Sequence, residues 1–267
     1  ILAAMLLLVS SVYSQFKWTA GGPQDDNAMA ISQTSNGGYW VSGYTKSYGF
    51  PGQNAYLLKF NSSGSLQFSR AFGGSGTDYA YSVVNTTDGG CAVAGWTNSY
   101  GQGGYDIYIT KFDASGTIQW NRIIGGSDND YAYSIIQSSD GGFVVTGQTA
   151  TFGAGNIDVI ILKLSSVGNI LWTRTAGYLG NESGYNIIET SDGGYAIAGV
   201  TSSYGAGGKD MFIIKTNSNG IVLWSRVIGG STSDEAFSII QLSDGSFVAA
   251  GSTISYGAGS YDMYVVK

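Results

Sequence analysis

The sequence lacks histidine entirely, and it holds only one cysteine and two prolines among 267 residues. Without histidine, a nucleophile activated by imidazole and a metal site built on imidazole are both excluded. The single cysteine, Cys91, excludes a disulfide within the chain and is expected to be a buried apolar residue. Charged residues make up 11% of the chain and give a net charge of −6, which argues against nucleic acid and anionic membranes as partners.

After the apolar N-terminal run, no window shows the 3.6-residue apolar period of an amphipathic helix, so we predict no helix there. The sequence is instead organised as a repeat. A 52-residue unit recurs without insertion or deletion, and the copies begin at Gly21, Gly73, Gly125, Gly177 and Gly229. Repeats of this length are typical of solenoids, propellers and arrays.

Each unit reads as four short strands. In the second unit we predict strands at 79–85, 91–97, 106–112 and 117–123, because alternating or apolar runs there are bounded by Asp-Gly, Ser-Gly and Gly-rich turns. Four antiparallel strands in 40–50 residues form a propeller blade. We therefore predict an all-β fold, a five-bladed β-propeller.

The first 14 residues are an apolar run ending in small residues, which predicts a secretory signal peptide cleaved before Gln15. The run is too short to span a bilayer, so no membrane span is expected in the mature chain. The alternative is that the segment is retained as an ordered docking strand. The expected domain is then a single propeller over residues 15–267 in a secreted, extracellular protein.

Residues 16–20 match the spacing of the fourth strand in the repeats, whereas the fifth unit stops inside its third strand. We therefore expect the N-terminal strand to complete the last blade and close the ring, which would remove exposed edges. The alternative is that the chain is a fragment of a longer propeller.

The turns carry Asp-Gly-Gly or Asp-Gly-Ser followed by an aromatic residue and an Ala-Gly or Thr-Gly pair, as at 140–147, 192–199 and 244–251. These motifs resemble secreted DGG-type propeller repeats of bacteria and protists. The resemblance covers residues 16–267 and implies the propeller fold. It carries almost no assigned function.

Polar residues recur at fixed positions of the unit. The sixth residue of every copy is acidic, and we interpret this acidic ring as ligands for Ca²⁺ or sugar hydroxyls. The alternatives are that each acid accepts hydrogen bonds from backbone N–H groups of its own turn, or pairs with a Lys or Arg of a neighbouring blade. The ring comprises Asp26, Asp78, Asp130, Glu182 and Asp234. The Asp of the hairpin turn is expected to be structural, and a recurring Lys is expected to pair with an acid. No cofactor is expected beyond the possible Ca²⁺.

An aromatic residue in the Gly-rich loop of every copy is the candidate contact for a ligand or partner, with packing over the blade end as the alternative. These residues are Tyr48, Tyr100, Phe152, Tyr204 and Tyr256. Three N-glycosylation sequons, at Asn61, Asn85 and Asn181, lie in or beside predicted turns and fit a secreted glycoprotein.

No catalytic residues are assigned, because acids outside the repeated positions are few and form no obvious pair. We therefore expect a protein that is not an enzyme, with glycoside processing as the remote alternative. The preferred function is a secreted structural or interaction module, such as the subunit of an extracellular filament or coat. The alternative is a lectin-like module with one carbohydrate site per blade. Expected partners are other copies of the chain, other extracellular proteins or glycans.

Overall fold

The computed structural model describes residues 17–267, so the predicted signal peptide and Phe16 lie outside the described residues. The described residues form strands and no helix, and none could therefore cross a membrane as a helix. The strands are β1 (Asp26–Gln33), β2 (Tyr39–Thr45), β3 (Asn54–Phe60), β4 (Leu66–Phe72), β5 (Asp78–Asn85), β6 (Cys91–Thr97), β7 (Asp106–Phe112), β8 (Ile118–Ile124), β9 (Asp130–Gln137), β10 (Phe143–Thr149), β11 (Asp158–Leu164), β12 (Ile170–Ala176), β13 (Glu182–Glu189), β14 (Tyr195–Thr201), β15 (Asp210–Thr216), β16 (Val222–Ile228), β17 (Asp234–Gln241), β18 (Phe247–Thr253) and β19 (Asp262–Val266).

The strands form five antiparallel sheets, one for each repeat, and each sheet follows chain order. Four sheets have four strands, and the fifth consists of β17, β18 and β19 alone. The all-β prediction and the strands of the second unit are confirmed, with bounds that shift by at most one residue. The hairpin turns and Gly-rich loops sit where the Asp-Gly and Ser-Gly signals predicted them.

The sheets pack face to face in chain order. First strands of consecutive sheets lie beside each other, so the sheets converge at these strands. The core lies between sheets, as where Ile107 and Ile109 of the second sheet pack with Ile135 and Val145 of the third. Cys91 is fully buried in such an interface, as predicted, and burial raises the pKa of its thiol.

Every first strand carries a β-bulge at the same place. The extra residue that faces no partner in the second strand is Met29, Tyr81, Tyr133, Tyr185 or Phe237. A glycine sits opposite, and a Cβ on Gly147 would overlap the carbonyl oxygen of Tyr131. The bulge therefore needs glycine in the second strand, and it turns the extra side chain toward the inner edge of the sheet.

The predicted closing strand is not seen among the described residues, and the closed ring stays a prediction. Residues 17–20 form no strand, and no fourth strand pairs with β19 within 17–267. Instead, the ring of Trp18 packs edge-to-face on Phe60 of the first sheet, with centroids 5.0 Å apart. Phe72 makes the same contact on Phe112 at the next interface, at 5.2 Å. The segment thus covers the apolar side chain that a preceding sheet would otherwise cover.

The bulge glycine predicts a specific sensitivity. We expect Gly147→Ala to lower the free energy of unfolding by about 3 kcal/mol or more, because the new methyl group meets backbone atoms that cannot move without breaking the strand pair. The control is Gly141→Asn, at a turn with φ of +80° and no atom near the added Cβ. It should cost about 1 kcal/mol, since asparagine tolerates the left-handed region. Urea unfolding measures both, and equal losses would contradict this account of the bulge.

Candidate functional site

The acidic ring is built into the turns of its own sheets. The carboxylate of Asp78 accepts hydrogen bonds from the backbone N–H of Gly74 at 2.9 Å, from the Ser99 hydroxyl at 2.7 Å and from the Thr97 hydroxyl. Asp26 and Asp234 accept the equivalent three bonds. Among residues 17–267, no group of three or more acidic or cysteine side chains is arranged to hold a metal ion. This geometry favours the structural interpretation of the ring, and Ca²⁺ binding stays a prediction.

Pairs of buried acids face each other across the sheet interfaces. Asp106 of the second sheet and Asp130 of the third are 1% and 0% exposed, and both lie against Gly125. Burial raises the pKa of Asp106, and the negative charge of Asp130 raises it further. The pair Asp210 and Asp234 shares this arrangement. Each of these two joints therefore places two acids where only one can ionise without repulsion.

The turn acids and the recurring lysines pair as predicted in four of the five sheets, whereas Lys59 of the first sheet donates a hydrogen bond to the carbonyl oxygen of Ala114. The ammonium group of Lys111 lies 2.8 Å from the carboxylate of Asp88, and the equivalent pairs recur in the third, fourth and fifth sheets. Burial raises the pKa of Asp88, but hydrogen bonds from Lys111 and Thr86 outweigh it and lower that pKa to about 2. The pairing occupies both groups, so these residues belong to the fold rather than to a binding site.

The loop aromatics lie over the ends of the sheets, and their rings are nearly half exposed. Three of the tyrosine hydroxyls form hydrogen bonds to the backbone. Tyr48, Tyr100 and Tyr256 donate hydrogen bonds to the carbonyl oxygens of the glycines that open their own repeats, at 2.8, 2.7 and 3.0 Å. Tyr204 instead packs beside Tyr178, with centroids 5.6 Å apart. The rings are spread over five sheets, and the structure does not gather them into one pocket.

A second set of aromatic residues does converge. We call the rings around Trp96 the aromatic cluster. It consists of Tyr44, Tyr79, Tyr81, Trp96, Tyr105, Tyr131 and Tyr133. The Trp96 ring lies 4.6 Å from Tyr79, 5.3 Å from Tyr81 and 5.2 Å from Tyr131. All seven side chains are half-buried. They belong to the first three sheets and lie where the first strands converge, at the end of each sheet that carries the Gly-rich loop.

The bulges extend this surface along the inner edge. Tyr133 packs on Tyr185 at 5.4 Å, and Tyr185 packs on Phe237 at 5.7 Å. Burial raises the pKa of Tyr185 to about 12, and the charge of Glu235 contributes. The hydroxyl is therefore protonated at neutral pH and can donate a hydrogen bond. The inner edge thus combines flat apolar rings with polar donors.

The acids and lysines follow the repeat, as do Tyr81 and Tyr133 at the bulge position. The aromatic cluster departs from the repeat at the positions of Trp96 and Tyr79. In the other sheets the position of Trp96 holds Tyr44, Gln148, Val200 or Ser252, and that of Tyr79 holds Asn27, Tyr131, Ser183 or Glu235. Packing needed by every sheet would repeat in every sheet. Sequence analysis missed these residues because it considered only positions that hold the same residue type in every repeat. The signal was the change of residue type at the positions of Trp96 and Tyr79.

The sequons differ in accessibility. Asn181 is exposed, whereas Asn61 uses its side-chain oxygen to accept hydrogen bonds from Ser63 and Ser65 in its own turn. The side-chain oxygen of Asn85 is buried. Of the three predicted acceptors, Asn181 is the most exposed, and glycosylation of all three stays a prediction.

No family model matches the chain. Regulatory protein FlaEY of Caulobacter vibrioides is 28% identical over 157 residues, which covers 49% of this chain and 16% of that protein. The chain thus spans about a sixth of that relative. A solved structure from Lactobacillus plantarum is 12% identical, with a TM-score of 0.50, over 90% of this chain and 70% of that one. The likeness supports a propeller-like arrangement of sheets.

The comparisons correct one prediction. The structure of puromycin hydrolase is similar to this chain with a TM-score of 0.50 and 11% identity, over 85% of this chain and 36% of that one. A hydrolase therefore shares the fold, and the prediction that the chain is not an enzyme is wrong. At this identity the likeness concerns the fold alone, so it assigns no reaction to the chain.

The acid pairs predict a stabilising substitution. Because the pKa of Asp210 is raised in the folded protein, its neutral form stabilises the fold at low pH, and this contribution is lost as the pH rises through the raised pKa. We expect Asp210→Asn to raise the melting temperature at pH 7, with a smaller gain at pH 4. Position 54 of the first sheet already holds asparagine at the equivalent place.

The matched control is Asp262→Asn, at the same position of the fifth sheet, which no further sheet covers among the described residues. Thermal unfolding of both variants from pH 4 to pH 8 tests the account. A loss of stability in Asp210→Asn at pH 7 would show that the acid pair stabilises the joint.

Proposed function

We propose that the chain is a secreted carbohydrate-binding module whose ligand stacks on the aromatic cluster. The observation that carries the proposal is the concentration of half-buried rings around Trp96, where Trp96 and Tyr79 break the repeat. Flat aromatic faces stabilise the apolar faces of sugar rings, and tyrosine hydroxyls and neighbouring polar groups can bond sugar hydroxyls. The lectin-like hypothesis predicted one carbohydrate site per sheet, whereas this proposal places a single site on the aromatic cluster, which is built from three sheets.

Polar groups line the continuation of this surface. The Ser183 hydroxyl donates a hydrogen bond to Gln148 at 2.7 Å, and Glu235 lies near Tyr185. Rings on the first three sheets and polar groups on the last two would suit an extended ligand with apolar and polar faces. Export from the cell is proposed from the first 14 residues, and it fits the exposed sequon at Asn181.

A second candidate function, subunit of an extracellular filament or coat, is favoured by a separate observation. The first and fifth sheets leave apolar residues uncovered, among them Ile31, Val265 and Met263. Exposed apolar surface of this kind marks an interaction site. The closed five-bladed ring stays a prediction and is the intramolecular alternative, in which the fifth sheet covers the first.

Binding is tested with variants that the fold already accepts elsewhere. We expect Trp96→Gln and Tyr79→Ser, which copy residues at the equivalent positions Gln148 and Ser183, to weaken glycan binding at least about tenfold, since 1.4 kcal/mol of lost stacking corresponds to that factor. The control is Trp224→Phe, on the outer strand, where the first repeat has Phe68.

The measurement is binding of the purified protein to a panel of immobilised polysaccharides, followed by calorimetry with the best ligand. Trp224→Phe should bind like the wild type. Wild-type protein that binds no member of the panel, or a Trp96→Gln variant with unchanged affinity, would contradict the proposal.

A further inference from the structure

The outer face of the fifth sheet exposes residues whose copies are buried at the preceding interface. Met263 is 94% exposed, whereas Met211, one repeat earlier, is 0% exposed. Val265 is 64% exposed, whereas Ile213 is 6% exposed. Met211 and Ile213 pack on Ala236, Ile239 and Ala249 of the following sheet. The fifth sheet therefore exposes the apolar side chains that a following sheet would cover.

The first sheet presents the complementary face. Ile31 is 66% exposed, whereas its copy Ile239 is 2% exposed. Ile31 lines a groove of about 460 Å³ together with Val41, Tyr56 and Phe60, and Trp18 stands at its margin. At the internal interfaces, the equivalent face is filled by the side chains of the preceding sheet.

The N-terminal segment lies where a preceding fourth strand would lie. It has the spacing of the fourth strands, and the ring of Trp18 contacts Phe60, whereas the ring on the equivalent Phe112 is that of Phe72, two positions further along the repeat than the copy of Trp18. The fifth sheet has no fourth strand among the described residues. A fifth sheet placed on the first sheet would thus bring its edge strand β19 beside this segment.

We propose that a second copy of the chain docks the outer face of its fifth sheet on the first sheet of this one. The inference rests on the second candidate function and names its contact. The interface is head-to-tail and extends the four internal interfaces, with Met263 and Val265 of one copy against Ile31 and Val41 of the other. Segment 17–20 of the accepting copy then lies beside the edge strand β19 of the docking copy. Such an interface leaves one face of each kind free, so copies can add further or close into a ring.

The test blocks one face at a time and then mixes the two variants. Met263→Asp places a charge on the outer face of the fifth sheet, and Ile31→Asp places one on the first sheet. Both side chains are exposed within one chain, so neither change should impair folding. The control is Val167→Asp, at an exposed position in the turn between β11 and β12.

By light scattering on the full chain, we expect the wild type and Val167→Asp to exceed the monomer mass, and each blocked variant alone to be a monomer. An equimolar mixture of Met263→Asp and Ile31→Asp should give a dimer, because the mixture retains one intact pair of faces. This complementation separates a head-to-tail contact from a symmetric one, in which the mixture would not recover.

The other outcomes reject either the docking faces alone or the docking faces together with the subunit function. Blocked variants that still associate would leave the subunit function standing and reject these faces. A monomeric wild type would reject both, and protection of residues 258–267 from hydrogen exchange in that monomer would indicate closure within one chain. Glycan binding is measured separately, so its success or failure does not enter this test.

Discussion

The structure depends on one constraint, which is that each sheet has two apolar faces and must lie between two others. Every residue of β7, β11 and β15 is buried, as expected for strands covered on both sides. In β19, the equivalent strand of the fifth sheet, exposed and half-buried residues alternate. The difference arises from position in the stack rather than from composition, since Met263 and Val265 are as apolar as Met211 and Ile213.

Stacking alone would allow neighbouring sheets to slide, and polar contacts at the inner edge restrict this. The backbone N–H of Ile187 donates to the Ser134 hydroxyl of the preceding first strand at 3.4 Å, and that of Ile239 donates to the side-chain oxygen of Asn186 at 3.1 Å. These bonds link consecutive bulged strands. Repulsion within the buried acid pairs destabilises the same interfaces between consecutive sheets. The fold therefore tolerates an unfavourable charge arrangement, because the apolar area buried in each interface outweighs it.

The repeat made most of the fold predictable, since a period of two residues and Asp-Gly turns locate strands to within a residue. It did not predict the bulges, because Tyr81 follows the ordinary alternation of a strand until it is known that Ala80 pairs with Gly95 and Ser82 with Ala94. Nor could it place residues 16–20. Spacing predicts a fourth strand there, but residues 17–20 form none, because spacing alone does not provide a partner strand. The aromatic cluster was missed for a related reason, since a periodic search discards exceptions such as Trp96.

Assembly and ligand binding would use separate parts of the molecule. The faces proposed for docking lie on the outermost sheets, at Ile31 and Met263, whereas Trp96 lies at the inner end of the second sheet. Covering the outer faces therefore leaves the aromatic cluster open. A row of copies would present one cluster per chain at a fixed spacing, and a polymeric glycan that spans several clusters would bind more tightly than one cluster alone allows. Repetition within the chain builds the scaffold, and repetition of the chain would supply the avidity that a single shallow site lacks.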